Sequence, residues 1–176
     1  MQPVRKQAET SYSFSTSFFG LPAILAILIF ILDQITKLFV LKNWQTPGKI
    51  YIEVIEGFFS LVHFQNTGAA WGIMADKTQL LGLISLGALL AIIIFFKYLT
   101  ESLLLPSIAY GILLGGIAGN LYDRLFRGFV VDFLFFYYKD YEHSWPAFNI
   151  ADAAISCSVA VLLIYSLFFY KNTKGQ

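Results

Sequence analysis

The chain has 176 residues, 57% hydrophobic and 18% aromatic but only 13% charged, with a mean hydropathy of +0.67, which excludes an ordinary soluble domain and indicates an integral membrane protein. Its net charge of +1 arises from twelve basic residues that are scattered along the sequence, so the basic stripe that a nucleic-acid partner needs is missing. A single cysteine, Cys157, excludes an internal disulfide, and its apolar neighbours suit a small hydrophobe better than a nucleophile.

In chain order, residues 1–17 are polar and rich in Ser and Thr and read as a flexible tail. The apolar run that follows imitates a signal peptide, but Asp33 and Lys37 interrupt it and no small-residue cleavage site follows, so it is expected to be retained. Four stretches, 18–41, 80–98, 103–125 and 148–170, are long enough at 1.5 Å per residue to cross a hydrocarbon core of about 30 Å. Residues 49–65 are rich in Ile, Val, Tyr and Phe with a break at Glu56 and Gly57, which predicts a hairpin on the membrane surface. A tight turn around residues 97–101 joins the second and third spans, with Pro106 near the start of the third helix. Residues 133–145 are dense in aromatics among polar side chains, which fits an interfacial belt or a flap over a site. A short tail, 171–176, ends the chain. The expected fold is an all-α polytopic membrane protein, one four-helix domain over 18–170 with a small β-hairpin on the membrane surface and an interfacial aromatic segment. Charge does not set its orientation: Arg5, Lys6, Lys97, Lys171 and Lys174 fall on one side and seven basic residues on the other.

Four aspartates, Asp33, Asp123, Asp132 and Asp152, lie inside or at the rim of these spans. Each carboxylate facing lipid at mid-bilayer costs roughly 2.5–3.5 kcal/mol, so the four must line an enclosed or watered interior. With alternating spans, all four map to one membrane face, together with Asn66. Asp33 shares a helix face with Thr36 and Lys37, which supplies a counter-charge one turn on. Asp123 follows Asn120 on one face and has Arg124 and Arg127 at hand. Gly115, Gly116 and Gly119 are ordinary small residues for helix packing in lipid. The segment from Asn66 through Gly68 permits close backbone approach. Asp132 and Asp152 differ from the other two in having no cation within four residues. Two poorly hydrated carboxyls without counter-charge lower their cost by sharing a proton, so that one acts as base and the other as acid. That chemistry suits peptide hydrolysis through an activated water without a metal, and Asn149 falls on the same helical face as Asp152. Neither a His-Glu-x-x-His motif nor a Gly-x-Ser-x-Gly elbow occurs, and His63 and His143 stand alone in the surface segments. A small proton-coupled transporter using the acids as a relay is the alternative reading, although no internal repeat is visible; a non-catalytic scaffold leaves two unpaired acids unexplained.

These residues resemble a known family, the bacterial lipoprotein signal peptidases, also called signal peptidase II. The first-span pattern is met by Asp33, Thr36 and Lys37, and an Asn-x-Gly-x-Ala-aromatic pattern by Asn66, Gly68, Ala70 and Trp71. The more specific blocks are Gly119 to Arg124, Gly128 to Phe133, and Phe148, Asn149, Ile150, Ala151 and Asp152. The resemblance implies an aspartic endopeptidase with Asp132 and Asp152 as the catalytic pair. It implies supporting or substrate-binding roles for Asp33, Lys37, Asn66, Gly68, Asn120, Asp123, Arg124, Asn149 and Ala151, and no metal or cofactor. The implied substrate is a diacylglyceryl-modified prolipoprotein, cut before its modified cysteine. The implied setting is the bacterial cytoplasmic membrane, among membrane lipids, with both termini cytoplasmic, the hairpin on the extracytoplasmic side and the site towards the outer leaflet. A monomer is expected.

Overall fold

In the computed structural model, the residues described are 17–69, 73–101, 103–139, 141 and 143–168. Residues 1–16 of the expected N-terminal tail, the tail 171–176, residues 169–170 of the fourth expected span, and Ala70 and Trp71 of the Asn66 motif lie outside the described residues, whereas Ser17, expected in the tail, opens the first helix. Four helices dominate: α1 (Ser17–Asn43), α2 (Thr78–Thr100), α3 (Leu104–Phe126) and α4 (Ile150–Phe168). All four are long and apolar enough to cross a membrane. Four antiparallel strands, β1 (Lys49–Ile55), β2 (Phe59–Asn66), β3 (Val130–Tyr138) and β4 (His143–Ser144), pair in the order β1-β2-β3-β4.

Packing follows from where the small residues fall. α3 is the central helix, and it touches α1, α2 and α4. A Cβ on Gly111 would sit 2.5 Å from the Pro22 carbonyl oxygen, and one on Gly115 2.5 Å from that of Ala26, so only glycine lets α1 approach this closely. Gly116 plays the same part towards α4, where a Cβ would meet the Ala151 carbonyl at 2.7 Å. By contrast α2 buries only a narrow stripe, Thr78, Gly82, Phe96 and Thr100. Its remaining surface, including Leu83, Ile84, Ile93 and Ile94, is exposed apolar area of the kind that faces lipid.

The hairpin expected at 49–65 is present as β1 and β2, turning at Glu56–Phe58, but the sheet is larger than the expected hairpin. The aromatic segment expected as an interfacial belt or flap contributes β3, which pairs along β2 through Ser60↔Phe135, Leu61↔Leu134 and Phe64↔Asp132. The physical reason is that Val130 to Tyr138 is a run of β-branched and aromatic residues, which pack well on a pleated surface. A capped helix end feeds this strand. Gly128, with φ +79°, takes the left-handed conformation just past α3, and its N–H donates to the Asp123 carbonyl at 3.1 Å. Val40 and Trp44 at the end of α1 join Val131 and Phe133 of β3 in one buried cluster, which fixes the sheet on the helical bundle. His63, expected to stand on the surface, is buried at 2% exposure instead, and its Nδ1 lies 2.6 Å from the Trp44 carbonyl oxygen. It braces the α1–β1 connection.

Candidate active site

Asp132 does not belong to the third helix; it sits on β3, buried, where the strand returns past the end of α3. Three hydrogen bonds hold this return. The Asp123 carboxylate Oδ2 accepts the Val131 N–H at 3.1 Å, and Phe148 bridges Leu134 through N–H···O bonds of 2.8 and 2.9 Å. The bridge delivers the start of α4 directly beside Asp132.

Asn149 then links the two unpaired acids. Its Oδ1 accepts the Asp152 N–H at 2.9 Å while its own N–H donates to Asp152 Oδ2 at 3.2 Å, a reciprocal capping box that sets the Asp152 carboxylate. With the amide oxygen so engaged, Nδ2 is directed to Asp132 Oδ1 at 2.7 Å. The cap and the site are thus one residue. Asn66 donates to the other oxygen, Asp132 Oδ2, at 3.0 Å from the diagonal position on β2. Its own oxygen accepts the Gly68 N–H at 2.9 Å. Gly68 is required here, since a Cβ would lie 2.9 Å from the Ile73 carbonyl oxygen.

Behind the pair runs a buried polar chain. Lys37 Nζ contacts Asp33 Oδ2 at 2.8 Å, Asp123 Oδ2 at 3.0 Å and Asn120 Oδ1 at 2.8 Å. That last bond orients Asn120 so that its Nδ2 donates to Asp152 Oδ1 at 2.7 Å. Asp33 Oδ1 caps the opening of α4 by accepting the Ala151 N–H at 3.0 Å. A Cβ on Gly119 would stand 2.5 Å from Asp33 Oδ2, so this glycine makes room for the carboxylate. Arg124 lines the cavity and reaches the Gly68 carbonyl at 3.5 Å.

Sequence spacing leaves Asp132 and Asp152 without cations, but the fold brings two: Lys37 and Arg124 both act electrostatically on both carboxylates. The surviving distinction is narrower. Among the described residues Asp33 and Asp123 form ion pairs, with Lys37 and Arg127, whereas Asp132 and Asp152 form none. Burial, and after it the neighbouring charge of Asp152, push the Asp132 carboxyl up to about 7, against the hydrogen bonds from Asn66 and Asn149. Tyr137 on the same strand is pushed up to about 12, chiefly by the 2.6 Å hydrogen bond it donates to Glu53, so it stays a phenol.

Every predicted site residue falls in this one network or its rim. Gln34 was not singled out, yet it is buried, donates to Asp33 Oδ2 at 3.0 Å and to the Gly119 carbonyl at 3.2 Å, and accepts from Arg127 at 2.9 Å. As the immediate neighbour of Asp33 it lies off the three- and four-residue spacing, and only its polarity inside an apolar span marks it. In front of the pair opens a cavity of about 700 Å³, walled by α2 at Ile84 and Ala88, α3 at Ile117, and α4 at Ala153 and Ser156. Among the described residues no three His, Cys, Asp or Glu side chains are grouped as metal ligands.

Four membrane-crossing helices, a small sheet and an acid pair on a cavity, Asp132 buried and Asp152 half-buried, define a polytopic membrane enzyme. Two solved bacterial membrane enzymes, both determined by the in meso method, share the architecture. One, at 2.3 Å, matches with a TM-score of 0.77 and 31% identity over 89% of this chain and 93% of that one; the other, at 1.9 Å, matches with 0.72 and 32% over 86% and 94%. The family model described as Signal peptidase (SPase) II matches residues 25–168, and the chain belongs to that family of membrane peptidases. Relatives include the lipoprotein signal peptidase of Anoxybacillus flavithermus, 37% identical over 87% of this chain and 89% of its own length. That of Clostridium novyi is 41% identical over 80% and 95%. The chain is a multi-pass protease of the bacterial inner membrane, and membership leaves the transporter reading without support.

Proposed function

We propose that the chain is an aspartic endopeptidase in which Asp132 and Asp152 hold one proton between them and activate a water against the peptide bond preceding a lipid-modified cysteine of a prolipoprotein. One observation carries this reading: a single residue, Asn149, holds both carboxyls at the edge of a cavity, that of Asp132 by its side-chain amide and that of Asp152 by its backbone N–H. The ionised member takes a proton from water, the water attacks the carbonyl carbon, and the protonated member donates towards the carbonyl oxygen. Protons then pass to the leaving nitrogen. Asn120 and Asn66 each donate to a different carboxyl, and so keep the two from rotating apart. A cavity walled by α2, α3 and α4 lets a lipid-anchored peptide reach the acids while its acyl chains stay in hydrocarbon.

In the bilayer this reading sets the sheet and the acids at the outer leaflet and both termini in the cytoplasm, with the peptidase acting as a monomer. The test is cleavage of a diacylglyceryl-modified prolipoprotein by Asp132→Asn and Asp152→Asn proteins purified in folded form. Each is expected to lose at least about a thousandfold in kcat/KM. Parental activity in either variant removes that residue from the pair.

A further inference from the structure

The reading above uses one cavity, but Asp132 lines two. The second, of about 600 Å³, is lined by Gln65, Thr67 and Gly68 at the end of β2, by Ala75 in the following loop, and by Pro47 and Gly48 before β1. It shares Asn66, Ala69, Asp132, Pro146 and Ala147 with the first. The division is sharp. None of the described residues lining the second cavity belongs to a membrane-crossing helix, whereas the first takes most of its wall from α2, α3 and α4. Asp152 lines only the first and Asp132 lines both, so the acid pair stands where the two cavities share a wall.

We infer that the second cavity seats the substrate chain on the carboxyl side of the cut, as the apolar stretch before the cut occupies the first. The inference rests on the peptidase reading and adds a path to it. A chain reaching Asp132 from the first cavity must continue past it, and backbone groups without partners are costly in hydrocarbon. The segment after the modified cysteine is the polar, mature part of the substrate, so it leaves through the cavity that no membrane-crossing helix lines. Asn66 stands at the junction, with its amide on Asp132 and its oxygen on Gly68 of the second cavity's wall. A bond cleaved at Asp132 therefore separates a product held at membrane depth from one already outside it. The peptidase then distinguishes substrates by the few residues following the modified cysteine, through the room that the second cavity leaves them.

Narrowing the second cavity alone tests this. Gln65 is exposed, lines only that cavity and touches neither acid. Two substrates are compared, a full-length lipid-modified prolipoprotein and a lipopeptide ending as an amide at the modified cysteine. Gln65→Trp is expected to lower the ratio of kcat/KM for the long over the short substrate by at least about tenfold. An unchanged ratio, whether both rates hold or both fall together, overturns the inference and makes the cavity a solvent route only. Failure of the parent to cut either substrate would instead overturn the peptidase reading. A second measurement does not depend on the Trp variant folding. A photoreactive side chain placed a few positions after the modified cysteine, in substrate bound to the Asp152→Asn protein, is expected to mark residues 64–68 or Ala75. Adducts confined to Ile84 and Ala88 of the first cavity contradict the path.

Discussion

At the scale of single residues, the site depends on how amides are turned. An asparagine presents an acceptor and two donors, and a buried one points in the direction that its strongest constraints dictate. Lys37 fixes Asn120 by occupying its oxygen, and the cap of α4 fixes Asn149 in the same way. Asn149 therefore has separable duties. Asn149→Ala removes cap and amide together and is expected to cost about 1–2 kcal/mol of stability and at least about a hundredfold in kcat/KM. Asn149→Ser keeps a capping oxygen but has no amide for Asp132. It is expected to lose less stability than the alanine variant while losing as much activity, as read from thermal unfolding and cleavage rates side by side. Helical spacing made Asn149, Asp152, Asp33 and Lys37 visible in the sequence. It could not show Gln34, or that Lys37 and Arg124 reach Asp132 and Asp152 through space, because those approaches join residues far apart in the chain.

Elements add what residues alone cannot: closeness. α3 is threaded between α1 and α4 by glycines whose missing side chains are replaced by a neighbour's backbone or, at Gly119, by a carboxylate. Gly119→Ala is expected to destabilise by about 1–3 kcal/mol and to lower activity, since the added methyl must displace Asp33 or part α3 from α4. Gly87→Ala is the matched control. Nothing lies within 4 Å of the Cβ it would add, and helix propensity alone predicts a gain of about 0.5–1 kcal/mol. Thermal unfolding of both in one detergent checks the contrast. The four helices were readable because length and apolarity suffice to mark a membrane span. The strand β3 was not, since Phe133, Phe135, Phe136, Tyr137 and Tyr138 suit the headgroup layer as well as a sheet. Strand pairing with β2 is a contact between distant segments, and it carries Asp132 away from the end of α3, where the linear order had placed it.

For the whole molecule, a single ammonium ties three of the four helices together. Lys37 of α1 meets Asp123 and Asn120 of α3, and through Asp33 and Asn120 it reaches Ala151 and Asp152 of α4. Lys37→Met leaves Asp33 without its cation in the interior and is expected to cost about 3–5 kcal/mol. The exposed Lys42→Met is expected to stay within about 0.5 kcal/mol of the parent in the same unfolding assay. On the proposed reading this scaffold holds two carboxyls at the meeting of two cavities with one proton between them, and the pH dependence of kcat/KM reports that proton. A carboxyl raised to about 7 keeps its proton through mildly acidic pH and gives it up above that, so the acid partner is lost as pH rises past about 7. At low pH the second carboxyl is protonated too, and the base is lost. The predicted profile for the parent enzyme on a lipid-modified prolipoprotein is a bell whose alkaline limb falls near pH 7. A rate that climbs with pH and stays on a flat alkaline plateau would contradict a shared proton.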